Sequence, residues 1–184
     1  MDIVPTLLDI LLVAFLIFMN GFFVAAEFCC VKIRTSRLET LIAEGSSRAG
    51  YAKQLTEHLD YSLSVTQFGI TLASLGLGWV GEPALATLIL PVTRAVGLPD
   101  EVGHTVALAV AFTIITSLHI VLGELTPKSM AIANVEDIML AIAFPMVLFG
   151  RVMRPFVWIL NTVANAISRR FGYDVKGENE DAHT

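Results

Sequence analysis

The sequence predicts an all-α membrane protein, and three observations carry that prediction. Only 16% of the 184 residues are charged while 55% are hydrophobic; a soluble domain carries about 25% charged residues. Several apolar runs are long enough, at about 1.5 Å per helical residue, to cross a hydrocarbon core of about 30 Å. The charges fall in groups between those runs, so the net charge of −5 says less than their placement.

The first run covers residues 5–26. Pro5 suits a helix start, Asp9 lies near one end of the run and Asn20 lies deeper. Cys29 and Cys30 are adjacent, a spacing that suits neither a disulfide nor a metal site, and they read as apolar filler. Residues 31–60 differ in kind. They hold Lys32, Arg34, Arg37, Arg48 and Lys53 with four acids, and Leu38, Leu41 and Ile42 recur at helical spacing before Gly45-Ser46-Ser47. This pattern predicts a cytoplasmic helical hairpin in water beside the membrane.

Residues 62–80 form a second span, apolar yet rich in Ser, Thr, Gln and Gly, with a predicted end at Gly81-Glu82-Pro83. Residues 84–98, interrupted by Pro91 and Arg94, are too short to cross and predict an interfacial or partly inserted helix. Residues 97–101 form a turn whose acids cap the next helix. Residues 104–122 form a third span. Pro127 lacks an N–H and disfavours helix in the residue before it, so a break or bend is expected there. Residues 138–150, broken by Pro145, and 152–168, holding Arg154 and Pro155, are not comfortable spans. They fit either juxtamembrane belt helices or a fourth and fifth crossing. Residues 171–184 are polar and acidic and are expected to be a linker.

Orientation follows from the basic residues. With the N-terminus outside, eleven of the twelve Lys and Arg fall on the cytoplasmic side, leaving only Arg94 outside. Three and five spans give the same result. The expected setting is a multi-pass position in the inner (plasma) membrane with a cytoplasmic C-terminus.

Several function classes find no support. There is no P-loop, no defensible Ser-His-Asp arrangement, and no basic patch interleaved with aromatics, so neither an enzyme nor a nucleic-acid partner is expected. The lack of a His/Cys cluster argues against a dedicated Zn²⁺ or Cu⁺ site. His119 reads as a packed, hydrogen-bonded histidine. What remains is oxygen chemistry inside apolar helices. Glu124 sits between Gly123 and Pro127, where a proline-disturbed helix frees backbone carbonyls; carbonyls plus a carboxylate suit a hard cation. Gln67, Thr71, Ser74 and Gly78 recur at i, i+4, i+7 and i+11 on one helix face, although small and hydroxyl residues also favour plain helix packing. Asn20 and Glu27 share a face of the first span, and Glu27 also fits an interfacial acid paired with a nearby base. Thr113, Ser117 and Glu124 roughly share a face of the third.

Three stretches resemble one family: residues 20–28 (NGFFVAAEF), 66–78 (TQFGITLASLGLG) and 119–128 (HIVLGELTPK). They are similar to the DUF21 transmembrane domain of the CorC/CNNM magnesium transporter family, over roughly residues 9–170, with G-E-x-x-P at Gly123, Glu124 and Pro127 the most specific part. The resemblance implies three transmembrane helices per subunit, a belt of juxtamembrane helices and a homodimer, within a domain covering residues 1–170. It implies Mg²⁺ export in exchange for Na⁺, with cytoplasmic CBS domains following the linker. It places Asn20 and Val24 where relatives often carry serine, Val24 offering only its backbone carbonyl. It places Gln67, Thr71 and Ser74 where some relatives use asparagines. The implied metal ligands are Asn20, Val24, Gln67, Thr71, Ser74, Gly123 and Glu124, with Pro127 as the structural helix break. A rival expectation is a membrane-embedded Mg²⁺ sensor or regulatory scaffold without transport.

Overall fold

Three helices are long and apolar enough to cross a bilayer. They define a computed structural model that describes residues 3–172, with side chains from Leu7 onward. The first, α1 (Ile3–Lys32), measures about 45 Å at 1.5 Å per residue. One side buries Ile17, Asn20 and Val24, while Leu7, Leu11, Phe15 and Phe18 stay exposed, as expected of a helix with one side in lipid; nearer Lys32, Ala26 and Cys30 are buried on the other side as well. Both cysteines are free and buried, as apolar filler should be.

The expected hairpin follows as α2 (Thr35–Ala43) and α3 (Ser47–Glu57). Between them Gly45 takes φ +92°. Its N–H bonds to the Ile42 carbonyl and that of Ser46 to Leu41, a helix-terminating pattern that needs a left-handed residue. The Ser46 hydroxyl then caps α3 by accepting from the Ala49 N–H. Leu38, Ala49 and Ala52 are fully buried in the hairpin seam.

α4 (Leu59–Ala95) corrects two expectations. The helix does not end at Gly81-Glu82-Pro83, and residues 84–98 are not a separate interfacial helix: one 37-residue helix runs through Pro83 and Pro91. A proline removes one donor and bends a helix, but the helix can continue when a neighbour packs against it. Here Gly81, Ala84 and Ala86 are buried, and a Cβ at Gly81 would rest 3.3 Å from Ile115 of the next span. α5 (Asp100–Leu118) starts with Asp100 and Glu101 in its first turn, where acids complement the helix dipole. It returns along α4 on a stripe of Gly103, Ala107, Ala111 and Ile115, small residues that let membrane helices approach.

Of the break or bend expected at Pro127, the third span shows no break. It widens into a π-helix, His119–Leu125, and continues as α6 (Thr126–Ala133). The last two apolar stretches join as one helix, α7 (Val135–Arg170), with Pro145 and Pro155 inside. α7 is amphipathic: Met139, Ala143, Met146, Gly150 and Val157 are buried at helical spacing. Among the described residues only α1, α4 and the α5–α6 rod qualify as spans, so three spans replace the three-or-five alternative.

α7 lies against the hairpin end of the bundle. Arg37 forms a two-pronged bond with Glu136, both contacts at 2.8 Å. Lys32 Nζ donates to the Ile132 carbonyl at 2.9 Å. The Tyr61 hydroxyl donates to the Gly150 carbonyl at 2.7 Å, and Phe23 packs on Phe149. The larger hydrophobic core gathers at this end, joining α1, the hairpin, α6 and α7. A smaller cluster of Ile17, Leu77 and Ile115 holds the spans together farther along. Residues 173–184, most of the expected linker, lie outside the described residues.

Candidate functional site: a polar cavity between the three spans

One missing donor organises the site. In an α-helix the N–H of residue 127 would bond to the carbonyl of residue 123; residue 127 is proline and has none. The backbone takes the wider π turn, and the side-chain amide of Asn20 on α1 donates to the Gly123 carbonyl at 2.9 Å in a buried contact. The approach needs glycine. A Cβ on Gly123 would lie 3.0 Å from His119 Cδ2 and 3.1 Å from Asn20 Nδ2, and one on Gly21 would lie 2.8 Å from the Pro127 ring.

Asn20 is 2% exposed, and its other end is also satisfied. Its Oδ1 accepts from the Ser74 hydroxyl of α4 at 3.1 Å, and Ser74 Oγ lies 3.3 Å from His119 Nε2. With the hydroxyl proton directed at Asn20, Nε2 takes the donor role. His119 is therefore the packed, hydrogen-bonded histidine expected from sequence. A single chain of hydrogen bonds thus joins all three spans.

Beside it lies a cavity of about 230 Å³. α1 contributes Asn20, Val24, Glu27 and Phe28; α4 contributes Gln67, Ile70 and Ser74. The π segment supplies His119 and Glu124, and α6 supplies Lys128. Along α1 the lining runs from about 6 to about 18 Å inward of Lys32, at 1.5 Å per residue. Lys128 Nζ sits 4.6 Å from the centre of the Phe28 ring, a cation–π contact that holds the ammonium at one wall. The cavity thus carries two carboxylates, one ammonium, two amides, a hydroxyl and an imidazole. Among the described residues no group of three or more His, Cys, Asp or Glu side chains is placed to hold a metal. The donor set is two carboxylates among neutral oxygens, which suits weak oxygen coordination of a hard cation.

The structure brings together Asn20, Val24, Gln67, Ser74 and Glu124 in the lining. The Gly123 carbonyl adjoins them, engaged by Asn20. Thr71 is exposed and outside the lining; its hydroxyl donates to the Gln67 carbonyl at 2.8 Å. Thr113 and Ser117 are likewise exposed and bonded to carbonyls of their own helix. Gly76 faces α1, where a Cβ would lie 3.2 Å from Leu16. Lys128, Phe28 and Ile70 were not anticipated as lining. Their signal was helical spacing: Lys128 follows Glu124 by four residues, Phe28 follows Val24 by four and Ile70 follows Gln67 by three.

Residues 11–184 match the family described as the cyclin M transmembrane N-terminal domain. The chain is 45% identical to UPF0053 protein YhdT of Bacillus subtilis over 176 residues, 96% of this chain and 38% of that relative. It is 43% identical to YhdP of the same organism over 184 residues, all of this chain and 40% of the relative. UPF0053 protein MT1890 of Mycobacterium tuberculosis is 34% identical over 184 residues, again 40% of its length. The chain therefore spans about two fifths of the curated relatives it matches.

Proposed function

Because the chain belongs to the cyclin M transmembrane N-terminal domain family of multi-pass membrane proteins, we propose that it is the membrane domain of a Mg²⁺ transporter. The observation that carries this reading is the cavity between the spans, with Glu27 and Glu124 set among the neutral oxygens of Asn20, Gln67 and Ser74. Mg²⁺ gives up its waters reluctantly and is usually bound through one or two carboxylates with several waters retained. A cavity of about 230 Å³ has room for an ion with part of its shell, since liquid water takes about 30 Å³ per molecule. The Val24 and Gly123 carbonyls complete the proposed ligand set, and Thr71 joins it only through a rotation of α4.

The cycle we infer is export of Mg²⁺ coupled to Na⁺ inflow, by a homodimer in the plasma membrane with the hairpin and α7 on the cytoplasmic side. The acidic segment after α7 would lead to cytoplasmic CBS domains. Alternating access requires the helices around the cavity to rock. The link from Asn20 to Gly123, Ser74 and His119 is the contact that must rearrange.

The test is Mg²⁺ efflux from loaded proteoliposomes containing the purified chain, with and without an inward Na⁺ gradient. Efflux accelerated by Na⁺ supports the exchanger. Mg²⁺ binding without efflux favours the sensor or scaffold reading, for which the same hydrogen-bonded tie would report occupancy to the rest of the protein.

A further inference from the structure

A second and larger groove, about 870 Å³, opens where α3, the start of α4 and the middle of α7 meet. One stripe of α7 faces it: Arg151, Arg154, Trp158, Asn161 and Asn165, at i, i+3, i+7, i+10 and i+14. The opposite wall is the first turns of α4, where Tyr61 and Ser62 are pinned through their hydroxyls to the Gly150 and Leu55 carbonyls. Val65 and Met146 close the apolar floor. Two guanidiniums face one carboxylate, Asp60, and His58 lies on the same rim. The groove is thus polar and basic at its mouth and apolar below.

The groove sits at the first turns of α4, a candidate span about 55 Å long at 1.5 Å per residue, more than a hydrocarbon core of about 30 Å takes up; its ends therefore extend past that core, toward the headgroups. α7 beside it exposes Phe156, Trp158, Ile159 and Val163, the pattern of a helix lying in the interface with its arginines reaching toward phosphate. Basic pockets at helix junctions on that side of a bilayer recognise lipid phosphate, and the volume falls in the range of roughly 300–1,000 Å³ that holds small ligands.

We propose that this groove binds the phosphate headgroup of an anionic phospholipid, with Arg151 and Arg154 as its anion ligands, Trp158 and the amides of Asn161 and Asn165 along its side, and the acyl chains over the Val65–Met146 floor. It is separate from the cavity between the spans and does not depend on the transported ion.

Trp158 provides the readout. The chain has two tryptophans; Trp79 is 85% exposed, so Trp79→Phe leaves Trp158 as the sole reporter. This variant is placed in nanodiscs of phosphatidylcholine doped with brominated phosphatidylglycerol or brominated phosphatidylcholine at equal mole fraction. The expected result is preferential quenching by the anionic lipid, with an apparent selectivity of about fivefold, the ratio equal to the roughly 1 kcal/mol attributed to a basic residue at an anionic surface. Arg151→Gln with Arg154→Gln should abolish the selectivity while helicity by circular dichroism stays unchanged, and Asp60→Asn should raise it. Equal quenching by the two lipids in the parent overturns the proposal, as does selectivity that survives loss of both arginines. Loss of selectivity in millimolar inorganic phosphate also overturns it, because the site then serves a soluble phosphate compound.

Discussion

The Asn20 amide donates to the Gly123 carbonyl across 103 residues of sequence, supplying the donor that Pro127 cannot. This bond ties the first span to the π turn of the third, and its geometry depends on the absence of a side chain at residue 123. Gly123→Ala would put a methyl group 3.1 Å from the Asn20 amide. Overpacking and an orphaned buried carbonyl each cost about 1–3 kcal/mol. We expect Gly123→Ala to lower the melting temperature in detergent, and Asn20→Ala added to it to cost little more. Fully additive losses in the double variant would show that the two residues are not coupled.

Pro127→Ala restores the missing N–H. The backbone can then bond to Gly123 itself, the π turn can relax toward α, and Asn20 loses its claim on the carbonyl. Helicity should be retained while Mg²⁺ affinity, measured by calorimetry, weakens. An unchanged affinity would mean that the π turn serves packing alone.

Most of the fold was legible because apolar run length and the hairpin's leucine spacing report directly on burial. The errors cluster at proline. Pro83 was expected to end a helix and Pro145 to break one, yet both lie inside helices, as do Pro91 and Pro155. Local rules register the lost donor but not the neighbouring helix that holds the bend in place. At the site, Asn20, Gln67, Ser74 and Glu124 were legible as polar residues within apolar helices. The exclusion of Thr71 was not: at i+4 from Gln67 it shares the helix face, and only the packed position of α1 decides which part of that face is enclosed. Lys128 was signalled by its spacing four residues after Glu124, but its contact with Phe28 is a meeting of two helices that no single-helix pattern contains.

The Arg37–Glu136 pair docks the hairpin onto α7, and both side chains are partly exposed. The hydrogen bond from Arg37 holds the Glu136 carboxyl below its ordinary pKa. A lowered carboxyl pKa stabilises the fold above the unfolded value, about 4.3, and that contribution is lost as pH falls through the folded value. Melting curves from pH 7 to pH 3 should therefore show an acid-side loss in the parent that is reduced in Glu136→Gln. The effect should be small, as for other exposed pairs. Identical pH profiles would show that the pair does not contribute.

Eleven of twelve Lys and Arg lie in sequence at the hairpin region, in the last turns of the third span or after it, which predicts that this end faces the cytoplasm. In a Cys29→Ser/Cys30→Ser background, Glu44→Cys in the hairpin should resist a membrane-impermeant thiol reagent added to whole cells. Asp100→Cys, at the α4–α5 turn, should react. The opposite pattern would invert the topology.

Glu124 lines the cavity between the spans at the π turn, and Glu124→Gln discriminates a ligand from a structural acid. Glutamine keeps the size and one oxygen but removes the charge. The cavity would then hold Glu27 against Lys128, with no net negative charge to offset Mg²⁺ dehydration. We expect Mg²⁺ affinity measured by calorimetry to fall at least about tenfold, equivalent to about 1.4 kcal/mol, with the metal-free melting temperature unchanged. Glu27→Gln should have a comparable effect if the two carboxylates act together. If Glu124 instead serves as a structural partner of nearby Lys128, the substitution should lower the melting temperature and leave affinity intact. Measuring both quantities on one preparation separates the cases, because the ligand and structural roles predict opposite pairs of results.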